Sequence, residues 1–137
     1  MTVDENKQVA ERAFGALAAR DFNRLESLLA PDAVLHQCGF LKPLPARALL
    51  QGELGGRSPI VEREVQLEQI IAEGDTVALR WRTTGRYADR DSPRLDGVRV
   101  SFPSMTFLRF ADGRIAEIWN MRDADTLQSA LREAGHE

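Results

Sequence analysis

Cysteine occurs once in 137 residues, at Cys38, and histidine twice, at His36 and His136. An internal disulfide is therefore impossible, and no Cys/His set exists that could close a structural zinc site. No apolar run approaches the roughly 18 to 20 residues that a membrane helix needs. The segment MTVDENKQVAERAFGALAAR is polar from its first residues, without the basic and apolar regions of a secretory leader. Positive charge is not gathered either: the net charge is −3 and the arginines stand among acidic neighbours, so the electrostatic footprint of a nucleic-acid binder is missing. These absences lead to the expectation of a cytoplasmic protein with no metal, no nucleic-acid partner and no membrane contact.

What is present is a globular mixture, 43% apolar and 28% charged. The chain is long enough for one core and too short for two, so a single domain over 1–137 is expected. Between Asp4 and Ala19 the residues Val9, Ala10, Ala13, Phe14, Leu17 and Ala18 recur at helical spacing. A short second helix restarts at Asp21, a good N-cap, places Phe22, Leu25, Leu28 and Leu29 on one face, and stops at Pro31. AVLHQ reads as a brief strand. Residues 39–59 are rich in proline and glycine, with a helical candidate from Ala46 to Glu53, and read as a mobile lid. Turns then separate the strands IVEREVQLEQIIAE, TVALRWRTTGRY, VRVSFPSMTFLRF and RIAEIWNMR, which make an antiparallel meander. A last helix from Asp123 to Ala134 carries Ala124, Leu127, Ala130, Leu131 and Ala134 at helical spacing, with Gly135 as its stop. The order predicts an α+β fold, helices packed on one face of a curved antiparallel sheet.

In that order of elements, the stretches RDFNRLESLLAPDAVLH, AEGDTVALRW and VSFPSMTFLRFADGRIAEIWNMRD resemble the SnoaL-like polyketide cyclases of the nuclear-transport-factor-2-like superfold. The matching positions are Asp21, His36, Gly74-Asp75-Thr76-Val77 with Arg80-Trp81, Asp112-Gly113-Arg114-Ile115, Glu117, Trp119 and Asp123, and they span nearly the whole chain. The resemblance implies a sheet curled into a cone (an α+β barrel), helices closing its mouth, a cavity for a mostly apolar small molecule, and a homodimer. The superfold hosts isomerases, cyclases, dehydratases, epoxide hydrolases and silent binders, so it does not name a reaction.

By resemblance, the chemistry is an aldol closure without a cofactor. One carboxylate of raised pKa and hydrogen-bond donors near the enolate oxygen suffice for it. Asp123 is the leading acid/base candidate, because the family's acid falls near this junction and strand parity sets Glu117, Trp119, Met121 and Asp123 on one side. Its alternative is to cap the last helix. His36, at the family's histidine position, is a candidate base or oxyanion donor, with a structural role as the alternative. Trp119 offers a flat surface to a polycyclic ligand, or packs in the core. Met105, Phe107 and Met121 are further lining candidates, and Phe14 and Phe40 close the pocket from the first helix and the lid. Arg80 either binds a carboxylate or enolate inside the cone or is solvated, depending on which strand face turns inward. In SFPSMTFLRF both parities are apolar, which predicts a strand buried on both faces. Cys38 reads as a small hydrophobe.

The expected function is a small cofactor-free enzyme acting on an apolar carbonyl or polyketide-like substrate by aldol-cyclase or isomerase chemistry, with Asp123 as acid/base and His36 assisting. The alternatives are a noncatalytic small-molecule-binding module and an epoxide hydrolase. The last would show an Asp–Arg–Asp set with an acid inside the final strand, where Asn120 and Met121 stand. The segment GELGGRSPIVER departs from the family's lid, so the entrance and the substrate do not carry over.

Overall fold

A computed structural model describes residues 2–47, 50, 60–89, 91 and 93–135. The first helix, α1 (Val3–Ala19), starts where the Thr2 hydroxyl accepts the Glu5 N–H at 3.1 Å and stops where Arg20 turns left-handed at φ 57°. Its buried stripe is mostly alanine, which lets the helix approach the sheet closely. The second helix, α2 (Phe22–Ser27), is capped by Asp21, which accepts the Arg24 N–H at 3.2 Å. It is shorter than expected. Leu29 leaves it before Pro31 and opens strand β1 (Leu29–Gln37), because Ile115 offers a strand partner and its N–H donates to the Leu28 carbonyl at 3.0 Å.

The other strands are β2 (Leu44–Pro45), β3 (Ile60–Glu73), β4 (Thr76–Tyr87), β5 (Arg99–Ala111) and β6 (Arg114–Arg122), and α3 (Ala124–Gly135) ends the described chain. They form a six-stranded sheet in the order β2-β1-β6-β5-β4-β3. The meander β3 to β6 is antiparallel as expected, but β1 pairs parallel with β6, so the sheet is mixed. Parallel pairing needs a long connection, and residues 38–113 supply it. The expected lid and its helical candidate, Ala46 to Glu53, fall largely outside the described residues.

Bulges curve the sheet. In β3 the register slips between Val61 and Glu64, where Glu62 takes φ 54°, and again between Leu67 and Gln69. Opposite the first slip, a Cβ at Gly85 would lie 2.6 Å from Ile60 Cγ2 and 2.9 Å from the Val61 carbonyl oxygen, so only glycine lets the strands close there. Asp112 and Gly113, with φ 51° and 79°, make the tight turn between β5 and β6.

One face of the sheet is covered. Val9, Ala10 and Ala13 of α1 and Leu25 of α2 pack on Leu35, Val77, Leu79, Leu108 and Ile118. At the far end Leu131 of α3 packs on Ile60, Val100 and Phe102. Met105, Phe107, Trp119 and Met121 stay exposed on the opposite face. No described helix is long and apolar enough to cross a membrane.

Candidate functional site

Between α1 and the covered face lies a cavity of about 120 Å³, walled by Ala13, Phe14 and Leu17 of the helix and by Leu79, Leu108 and Ile118 of the strands. Phe14 meets the ring of Trp81 edge-on, with centroids 5.8 Å apart. Three polar side chains reach this wall: Trp81, Thr106 and Asn120. They form a chain. Trp81 Nε1 donates to Thr106 Oγ1 at 3.0 Å, Thr106 donates to Asn120 Oδ1 at 2.8 Å, and Asn120 Nδ2 donates to Gln37 Oε1 at 3.1 Å. The indole N–H can only donate, so it fixes the direction of every later bond. Charged groups on the wall are Arg20, at the end of α1, and Arg63, which the first β3 bulge turns inward. Among the described residues no carboxylate and no imidazole lines the cavity.

The expected site residues divide. Phe14 lines the cavity. Trp119, Met105, Phe107, Met121, Arg80 and His36 stand on the opposite, outer face. Strand pairing sets Ala78, Phe107, Trp119 and His36 side by side in one row, and Arg80, Met105 and Met121 in the next. The expected parity is right, but the inward set is the other one. The helices cover the face bearing Val77, Leu79 and Thr83, and Met105 (57%), Phe107 (54%), Trp119 (38%) and Met121 (63%) keep much of their surface. Strand β5 is thus buried on one face, not on two. Phe40 sits exposed in the turn after β1 and does not reach the cavity.

On the outer face His36 Nε2 donates to Glu117 Oε2 at 2.6 Å, and Arg109 Nε donates to Glu117 Oε1 at 3.0 Å. These bonds, His36 first, hold the Glu117 carboxyl below its ordinary range. The His36 ring stacks on Trp119 with centroids 5.0 Å apart and planes 7° from parallel. Asp123 caps α3: its Oδ2 accepts the Thr126 hydroxyl at 2.5 Å and its Oδ1 the Thr126 N–H at 2.9 Å. The hydroxyl first, then the N–H, lowers its pKa, the opposite of what a general base near neutrality needs.

The family motifs do not mark Thr106, Asn120 and Trp81 as one inner polar set. A signal existed. On the inward series Phe102, Ser104, Thr106, Leu108, Phe110 and on Ile118, Asn120, a polar residue interrupts a core row, and buried polar residues are the informative ones.

The SnoaL-like domain profile matches residues 10–118. Among curated proteins none matches the sequence. Among solved structures, IdmH of Streptomyces antibioticus, described as a candidate polyketide cyclase, is 23% identical with a TM-score of 0.81, over 93% of this chain and 98% of its own. An LEH-like epoxide hydrolase of M. tuberculosis is 21% identical with a TM-score of 0.72, over 96% and 92%. An NTF2-like protein of Burkholderia thailandensis is 18% identical with a TM-score of 0.74, over 96% and 98%. At these identities the structures share the cone fold with this chain, and the profile match, spanning most of its length, makes the chain a member of the SnoaL-like family.

Proposed function

We propose that this chain is a small-molecule-binding module that holds an apolar ligand between α1 and the inner sheet face. One observation carries this: the described cavity wall is apolar apart from a neutral hydrogen-bond chain and two arginines. The cyclase and epoxide-hydrolase descriptions of the neighbours suggest catalysis instead. Acid/base chemistry needs a proton acceptor within hydrogen-bond reach of the reacting atom. Asp123, whose carboxylate is engaged by Thr126, and His36, engaged by Glu117, support the binding function over the enzymatic one.

The test is thermal unfolding of the purified protein with cyclic ketones, aromatic polyketides, terpenoid epoxides, steroids and fatty acids. A ligand at about 100 times its dissociation constant adds about 2.7 kcal/mol. A class-selective rise in Tm is expected, kept in Asp123→Asn and His36→Ala and lost in Asn120→Leu. Turnover of a bound compound that Asp123→Asn abolishes would restore the enzyme.

A second copy of this chain is the proposed occupant of the outer face. Ile71, Met105, Phe107, Trp119 and Met121 are exposed there. At about 150–250 Å² per aromatic ring, half-covered side chains of this size present roughly 500 Å², toward the upper end of the largest patch on a typical monomer and of the size that marks an interaction site. Standard interfaces take about 800 Å² per partner, which the flanking Arg80, Ala78 and Arg109 bring within reach. The face carries both signs, with Glu68 and Glu117 against Arg80, Arg82 and Arg109, so a two-fold copy meets no uniform repulsion. Sedimentation at tens of micromolar is expected to give a dimer that Phe107→Arg converts to monomer. A monomeric wild type removes the proposal.

A further inference from the structure

The polarity of the inner hydrogen-bond chain, together with the bulk of the cavity, specifies the ligand more narrowly than an apolar molecule. The indole of Trp81 has a hydrogen and no lone pair to offer, so Thr106 Oγ1 must accept from it and pass its own hydrogen on to Asn120 Oδ1. The amide of Asn120 is thereby held with its oxygen toward Thr106 and its nitrogen toward Gln37. That nitrogen carries two hydrogens. One goes to Gln37 Oε1, and no described residue accepts the other. Asn120 is buried and shares the cavity wall with Leu108, Ile115 and Ile118. Asn120 therefore presents to this wall a neutral donor with one open valence, held in orientation by three other side chains.

We infer that the buried end of the ligand is a neutral group of about one ring in size bearing a carbonyl or similar hydrogen-bond acceptor, which takes the second N–H of Asn120. This rests on the binding function proposed above and narrows it. The size follows from volume: a cavity on the order of 150 Å³ holds one benzene-sized ring, and this one encloses about 120 Å³. The cavity is open on one side, so a larger molecule seats one ring in it and extends past its rim. The charge follows from the donors. A buried carboxylate needs several charge-assisted bonds to replace its hydration; Arg20 and Arg63 on the same wall already have partners of their own, and the amide offers one N–H. A ligand hydroxyl is a poorer match than a carbonyl, because its own hydrogen would then need an acceptor in the same apolar wall.

The experiment compares cyclohexanone, methylcyclohexane and cyclohexanecarboxylate, close in bulk, by the Tm shift each gives at equal concentration and by titration calorimetry. The ketone is expected to bind at least tenfold more tightly than the hydrocarbon, and the carboxylate more weakly than the ketone. In Asn120→Leu, checked for fold by circular dichroism, the ketone's advantage over the hydrocarbon disappears. Should that variant fail to fold, Thr106→Val, which frees the amide to rotate, is expected to reduce the same advantage. Equal binding of ketone and hydrocarbon, or a preference for the carboxylate, would overturn this inference and leave the binding function standing. No binding by any of the three probes would overturn both.

Discussion

Thr106 and Phe107 are neighbours on β5, yet Thr106 is 8% exposed and Phe107 54%. The difference runs the length of the sheet. The inner face, under α1 and α2, is mostly apolar, and the described polar groups lining its cavity are neutral groups bonded to one another and two arginines. The outer face carries the titratable cluster His36, Glu117 and Arg109 and the large apolar side chains that no described helix covers. Alternation along a strand separates two chemistries by one residue. A family motif read along the chain picks up both at once, so matching His36, Glu117 and Trp119 locates the fold and not the cavity.

The largest expected difference between the faces is in stability. Leu35, 2% exposed, packs in the main core, and Leu35→Ala removes its contacts and leaves a void, at a cost of about 3 kcal/mol. Phe107→Ala on the outer face opens no void. Its effect on the unfolding midpoint of the dilute protein is expected to stay within about 0.5 kcal/mol. Denaturant titration of both variants at low concentration checks this. A loss at Phe107 as large as that at Leu35 would mean the outer face is part of the core, and the comparison would fail.

The element boundaries were legible because turn and cap chemistry is local. Strands β3, β4 and β6 run over the residues that the alternation delimits, and Asp21, Gly74-Asp75 and Asp112-Gly113 punctuate the chain as their side chains and dihedrals require. The parallel pairing of β1 with β6 was not legible, since it joins residues some 80 positions apart and leaves no local mark. Nor could β5 declare its inner face. Met105 and Phe107 are as apolar as Phe102 and Leu108, and only the positions of the helices, α3 over Phe102 and α1 with α2 over Leu108, decide which set is buried. The Asp123 carboxylate satisfied two patterns, cap and acid, and its bonds to Thr126 show that it caps the helix. Thr106 and Asn120 carry the inner polar chain because their neighbours in space, Trp81 and Gln37, come from other strands.

A smaller difference between the faces is the sharpest way to tell them apart, because it depends on pH. The fold holds the Glu117 carboxyl below its ordinary range through His36 and Arg109. A depressed carboxyl contributes stability that is fully present above its unfolded pKa, about 4.3, and is lost as pH falls through its folded value. The residue sits near the surface, so the contribution is on the order of 1 kcal/mol. Glu117→Gln removes the charge and keeps the shape. The gap in stability between wild type and this variant is therefore expected to close as pH falls below about 4. Asn120→Leu also destabilises, by about 1–3 kcal/mol, because it strands the Thr106 hydroxyl. That inner chain holds no titratable group, so its gap is expected to stay level from pH 7 to the onset of acid unfolding. Parallel thermal unfolding curves for the two variants across pH read both slopes. A closing gap for Asn120→Leu would place a titrating group inside the cavity and return acid/base chemistry to the cone.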